Sequence, residues 1–217
     1  MKGQITKLPS SDGVDQATRL TPVTHRMREV TYQLAENGTW DSHLIKEVRE
    51  LFDSLAGEWT ETRNHPQRNL PLLDALERGN VNGEIALELG AGTCISARVL
   101  VPKFQNFFAM DLSFQMLRNV VETAPPLVCA DGSSLPLPDG VVDVLILQNM
   151  FLFPNEVSRC ISEKGCLVWV NSRGSGTPIH LPVEKVVQSL ETATGYAWNA
   201  VCSTMGEATW AVIRREL

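Results

Sequence analysis

Residues 84–111 read EIALELGAGTCISARVLVPKFQNFFAMD, and the reading of this stretch decides the fold. Ile85 to Leu89 is a short, mostly apolar run between Gly83 and Gly90, as expected of a strand buried on both faces of a parallel sheet. At Gly90 and Gly92 the backbone can take angles that other residues resist, and a ligand meets the main chain with no Cβ in the way. The spacing predicts a helix over 93–101, closed by Pro102, with its free N–H groups facing the glycine turn. A second strand over 107–110 ends in Asp111, nineteen positions after Gly92. An acid about 20 residues past a glycine turn, at the end of the next strand, is placed to hydrogen-bond a ribose diol, so a nucleoside ligand is expected. NAD fits poorly, because the third glycine of G-x-G-x-x-G would fall at Ile95. There is also no G-x-x-x-x-G-K-[ST] loop to cradle a triphosphate.

Glu88-Leu89-Gly90-Ala91-Gly92 resembles the E-x-G-x-G turn of the class I S-adenosylmethionine-dependent methyltransferases. Three further landmarks extend the resemblance over residues 84–171. Val128-Cys129-Ala130-Asp131-Gly132 with Leu135-Pro136-Leu137-Pro138-Asp139 looks like the family's segment after its third strand, and Val142 through Asn149 looks like its fourth strand. The resemblance implies an α/β, Rossmann-like, seven-stranded and mostly parallel sheet with a C-terminal antiparallel hairpin. It also implies that S-adenosyl-L-methionine is held by Glu88, Gly90, Ala91, Gly92, Asp111, Leu112, Asp131, Gly132 and Asn149. Within that set Asp131 would accept from the adenine amino group. One departure stands at Cys94, where the family usually has glycine or a similar small residue.

The chain has 217 residues and a mass of 24.0 kDa, enough for one α/β core and an appendage. We expect an N-terminal tail and helical cap over 1–80 and a cofactor-binding core over 81–217. A net charge of −6 argues against a polynucleotide partner, which requires a basic surface. No apolar run approaches the roughly 18 residues of a membrane span, and the polar start MKGQITKLPSSDG holds no apolar signal core, so a cytoplasmic protein is expected. The five cysteines include no C-x-x-C pair and read as reduced thiols.

Residues 1–15 read as loosely draped, and a weakly periodic segment over 22–34 as a helix. Asp41 caps a predicted helix whose apolar residues, from Leu44 to Leu55, recur at three and four, with Trp40 and Ile45 spaced as a hydrophobic staple. Another helix is predicted over 70–78, with Pro71 in its first turn and Gly79 at its end. Between these helices, residues 52–68 resemble the F-D-x-x-A-x-x-[YW]-D lid of many small-molecule methyltransferases, with Thr60 in place of the second acid. There Trp59, Arg63, His65 and Arg68 form a group suited to an anionic or aromatic ligand.

Beyond the glycine turn, Ser113 caps a helix predicted to run to Glu122. Phe151 lies in a greasy patch after the fourth core strand and is a candidate acceptor wall. A short helix over 154–162 and a strand over 166–170 follow. The loop SRGSGTPIHLP, residues 172–182, carries Arg173 and His180 to the sheet edge where ligands bind in such folds. The tail predicts two strands around Met205-Gly206.

The expected reaction is in-line methyl transfer to a small-molecule acceptor, which requires alignment and exclusion of water rather than a covalent nucleophile. Arg63, Arg68, Arg173, Trp59 and Phe151 are the candidate acceptor contacts, and His65 and His180 the candidate bases for a protic acceptor. No metal is expected. Two alternatives stay open: a catalytically silent protein that binds S-adenosylmethionine, and a different reaction at the same nucleoside pocket, such as aminopropyl transfer.

Overall fold

The computed structural model describes residues 2–12, 25–36, 38–120 and 124–216. Eight strands form one sheet: β1 (Ile5–Lys7), β2 (Ile85–Leu89), β3 (Asn106–Asp111), β4 (Leu127–Cys129), β5 (Val142–Gln148), β6 (Ile161–Asn171), β7 (Trp198–Met205) and β8 (Ala208–Arg215). Their order is β1-β7-β8-β6-β5-β2-β3-β4. All neighbours pair in parallel except β8, which runs antiparallel to both β6 and β7. From β2 the chain builds outward through β3 and β4, then returns to lay β5 on the other side of β2. That reversal opens a crevice at the C-terminal ends of β2 and β5.

Alternation along the central strands sends side chains to two cores. Leu145 and Leu147 of β5, Leu167 and Trp169 of β6, and Ala211 and Ile213 of β8 face one side. They pack there with α6 (Pro154–Cys160) and α7 (Val183–Thr194). Val144, Ile146, Val168, Val170, Trp210 and Val212 face the other side, covered by α3 (Leu70–Arg78) and α4 (Ala97–Leu100). A third cluster joins Met27, Val30 and Leu34 of α1 (Arg26–Ala35) and Leu44 and Val48 of α2 (Ser42–Arg63) to Phe151, Phe153 and Ile179. This places a helical cap over the C-terminal edge of the sheet.

Several boundaries differ from the sequence reading. Residues 5–7, expected to be loosely draped, pair in parallel with β7 and make the sheet eight-stranded rather than seven-stranded. The helix expected over 93–101 contracts to Ala97–Leu100, because Gly92 and Cys94 hold positive φ angles of 57° and 54° that no α-helix accommodates. In contrast, α2 continues through the expected lid to Arg63, so Trp59 and Arg63 sit on a helix face. α6 ends at Cys160 and β6 begins at once, running eleven residues rather than five. Downstream of β3, α5 spans Phe114–Arg118 and ends at Asn119, short of its predicted end, and residues 121–122 of the predicted helix lie outside the described residues. The start of the helix read over 22–34, and residues 13–15 of the tail, lie outside them as well.

Other expectations match the structure. Asp41 Oδ1 accepts from the backbone of His43 and Leu44, α3 has the predicted ends, and β7 and β8 form the hairpin. No helix among the described residues is long and apolar enough to cross a membrane.

Candidate functional site

A cavity of about 690 Å³ opens where β2 and β5 end. Its volume falls within the ~300–1,000 Å³ usual for small-molecule and cofactor sites. Its wall includes Glu88, Gly90, Ala91, Gly92, Asp111, Leu112, Gly132 and Asn149 of the expected cofactor set. It also includes Trp59, Arg63, Arg68, Phe151 and Arg173 of the expected acceptor set, together with His65.

The glycine turn needs its glycines. Gly90 has φ +74°, and a Cβ there would lie 2.5 Å from Met150 Sδ. Gly92 has φ +57°, and a Cβ there would approach Trp59 Nε1 at 3.3 Å. The backbone N–H groups of Gly90 and Ala91 donate to Met110 O at the end of β3, at 2.8 and 3.1 Å. Asp111 then ties the two strand ends together, accepting from Gly92 N at 2.7 Å and from Ser113 N at 2.8 Å. Each of its oxygens keeps a lone pair for a further donor such as a ribose hydroxyl. Burial pushes its carboxyl up to about 6, against the pull of those backbone donors.

Glu88, one residue before the end of β2, is buried, and its carboxylate accepts from Ser96 Oγ. Burial raises it to about 7, opposed by Ser96 and by the nearby charge of Arg68. No sequence signal pointed to Ser96, which reaches Glu88 only because the chain turns back at 92–96. Thr60, the departure from the lid pattern, donates to Thr93 Oγ1 at 2.8 Å and fastens α2 to the glycine turn.

The opposite wall is cationic. Arg63 stacks over the Trp59 ring, its Cζ 3.8 Å from the centroid, and donates to Thr62 Oγ1 at 2.6 Å. Arg68 comes from the 3-10 helix Pro66–Asn69, and Arg173 from the loop after β6. Burial lowers Arg63 and pushes Arg68 down to about 10, with Arg173 repelling both. Among the described residues none of these three arginines is in an ion pair.

Two expected residues stand apart from the cavity wall. His180 does not line it. Its Nδ1 is buried without a partner, and burial with nearby Arg28 lowers its pKa. Asp131 is also off the wall, its carboxylate engaged by Trp40 Nε1 and Ser133 N. Trp40 itself lines the cavity, with its ring 6.1 Å from Phe151 and 5.2 Å from Phe153. The sequence reading assigned it only to the start of a helix. Asn149 has φ +55° and exchanges hydrogen bonds with Ser172, which joins the ends of β5 and β6. Among the described residues no group of three or more His, Cys, Asp or Glu is placed to hold a metal ion.

The family model described as "Methyltransferase domain" matches residues 87–164, from within β2 to the start of β6. Over those residues the chain is similar to a methyltransferase domain. The domain's fold is shared with a DhpI–SAH complex at TM-score 0.63, with 17% identity over 81% of this chain and 98% of that one. It is shared also with a SAM-dependent methyltransferase from Aquifex aeolicus at TM-score 0.56, with 16% identity over 82% of this chain and all of that one. A malonyl-[acyl-carrier protein] O-methyltransferase from Halorhodospira halophila is 36% identical over 114 residues, which is 48% of this chain. The match spans 38% of that relative's own length.

Proposed function

We propose that this methyltransferase domain methylates an anionic oxygen of a small-molecule acceptor, using S-adenosylmethionine as donor. The observation that carries the reading is that Arg63 and Arg173 line the same cavity as the glycine turn and form no ion pair among the described residues. A half-buried cation without an ion pair is costly, and an anionic ligand reduces that cost. The related enzyme from Halorhodospira halophila acts, by its name, on malonyl-[acyl-carrier protein], and a malonyl group bears a carboxylate.

The cavity fits the cofactor: the glycine turn is clear of Cβ atoms, Asp111 retains acceptor capacity, and Glu88 offers a buried carboxylate to a cation. In this reading Gly90, Ala91, Gly92, Asp111 and Leu112 hold the nucleoside. Gly132 and Asp131 flank the adenine, and Asn149 stiffens the wall at the reacting centre. When bound, the cofactor supplies an activated methyl group. Arg63 and Arg173 hold the acceptor's negative charge, Trp59 and Phe151 flank its body, and α2 excludes water. An anionic oxygen arrives already deprotonated, so no base is required. For a phenolic acceptor the base is His65, which lies on the wall where His180 does not.

The test is release of S-adenosylhomocysteine with a panel of small carboxylates and phenols against their amides and methyl ethers. Turnover confined to the anionic members, with KM raised in Arg173→Ala, supports the reading. Turnover with neutral amines alone overturns it. Cofactor binding with no turnover on any member favours a silent binding protein.

A further inference from the structure

His25 also lines the cavity, at the start of α1. It is the N-cap of that helix: its carbonyl accepts from Arg28 N at 2.8 Å and Glu29 N at 3.2 Å, and its Nδ1 accepts from Met27 N at 3.2 Å. The residues that follow fix this helix end on two sides. Arg26 donates from Nε and Nη2 to the two carboxylate oxygens of Glu47 on α2, at 2.8 and 2.9 Å. Arg28 Nη2 donates to Ser175 O at 2.6 Å and to Thr177 O at 2.7 Å, in the loop after β6. Thr177 Oγ1 in turn accepts from Arg173 N at 3.2 Å. One connected network therefore carries both His25 and Arg173 to the cavity.

The cap decides which ring nitrogen is left for a ligand. An imidazole nitrogen that accepts from an N–H carries no proton, so the proton of the neutral ring sits on Nε2. Among the described residues no hydrogen bond engages Nε2. In this tautomer His25 is a donor and has no lone pair to offer as a base. A donor in a cavity that also holds arginines without ion pairs suits an oxygen that is already charged. A carboxylate has two oxygens, so one can accept from His25 while the other stays free to react.

We propose that His25 is an acceptor-binding residue whose Nε2–H donates to the non-reacting oxygen of a carboxylate, sharing that group's charge with Arg173. The assignment rests on the anionic-acceptor reading above and narrows it to carboxylic acids. It makes His25 a determinant of acceptor affinity, with no part in proton removal or in holding the cofactor.

The test is calorimetric titration of malonate, glutarate and benzoate into wild type, His25→Asn and His25→Gln, each saturated with S-adenosylhomocysteine, alongside their thermal midpoints. Asparagine places an acceptor at the level of Nδ1 and is a strong N-cap, but it has no donor at the level of Nε2. Glutamine reaches the level of Nε2 with an amide N–H and is not a preferred cap. For each carboxylate that wild type binds, His25→Asn should lose about tenfold or more in affinity at an unchanged midpoint. His25→Gln should bind it within about threefold of wild type at a lowered midpoint. Both variants should bind S-adenosylhomocysteine within about twofold of wild type. Wild-type carboxylate affinity in His25→Asn, or equal losses in the two variants, overturns the assignment of His25. Failure of wild type to bind S-adenosylhomocysteine, or any of the three carboxylates, overturns the reading above and the assignment with it.

Discussion

The indole Nε1 of Trp40 donates to both carboxylate oxygens of Asp131, at 2.9 and 3.1 Å. Ser133 N adds a third bond to Oδ1 at 2.8 Å. The pair joins the loop between α1 and α2 to the turn after β4, and it engages the acid that the family resemblance assigns to adenine. The cap and the turn after β4 therefore share one carboxylate.

Removing that bond tests how firmly the cap is held. Trp40→Phe keeps an aromatic ring against Phe151 and Phe153 but loses the donor. We expect a stability loss of about 1.5–3 kcal/mol, the range for a hydrogen bond to a charged group. Urea denaturation measures it, and an unchanged midpoint would show that the bond contributes nothing. If adenine competes for Asp131, S-adenosylhomocysteine will alter the fluorescence of wild type more than that of Trp40→Phe.

Glu88 and Asp111 create a pH dependence with a defined sign. Burial raises Glu88 to about 7 and Asp111 to about 6, so between their ordinary range and those values the folded state holds more protons than the unfolded. Their contribution to stability is fully present at low pH and is lost as pH rises through that window. His180, lowered by burial, acts in the opposite direction below its ordinary 6.5, so the informative quantity is a difference between proteins. Thermal melts from about pH 5 to about pH 8 should show Glu88→Gln gaining on wild type as pH rises. Parallel curves would refute a raised Glu88.

Cofactor binding should show the complementary trend. A ligand ammonium favours ionised Glu88, so affinity for S-adenosylhomocysteine should rise from about pH 6 to about pH 8 and flatten in Glu88→Gln. Calorimetry across that range decides it. A flat wild-type profile would remove the ammonium from Glu88.

Cys94 occupies the left-handed region at φ +54° and is buried within the core beside α4. A non-glycine residue there costs about 1–2 kcal/mol, and a β-branched one more. Cys94→Gly relieves the backbone and loses packing of the thiol, and it should fall within about 1 kcal/mol of wild type. Cys94→Val should lose about 2 kcal/mol or more. Equal midpoints in denaturant for Val and wild type would contradict the strain.

Arg159 organises the segment between β4 and β5. It donates to Leu137 O at 2.8 Å and Leu135 O at 3.2 Å, and pairs with Glu156 through Nε at 3.0 Å and Nη2 at 2.6 Å. It also meets Asp139, whose side chain is 82% exposed. Arg159→Met should cost about 2 kcal/mol because two carbonyls and Glu156 lose a donor. Asp139→Asn should cost under about 0.5 kcal/mol, since water screens that pair. The two denaturation midpoints distinguish a network centred on Glu156 from one centred on Asp139.

Local chemistry alone made β2, β5, α3 and the β7–β8 hairpin legible, because hydrophobic period, caps and turn residues act over a few positions. Trp59 and Arg63 stand one helical turn apart, so their stacking was readable once α2 was known to continue. The helix expected over 93–101 failed on a backbone angle that no residue type announces: cysteine normally avoids the left-handed region, yet Cys94 sits there, buried, with its N–H donating to Ala91 O and its carbonyl accepting from Ala97 N.

The sequence by itself determined a glycine turn between parallel strands and an acid at the end of the next strand in an α/β fold, from which a nucleoside site is expected. Tertiary structure alone decided that residues 5–7 close the far edge of the sheet, that Asp131 answers to Trp40 from 91 positions away, and that His180 stays off the cavity wall. It also decided that arginines from three separate segments line one cavity with a buried carboxylate. Local patterns record what each residue does to its neighbours in the chain. Contacts between distant segments depend on how helices and strands pack, and that is settled by the energy of the whole core.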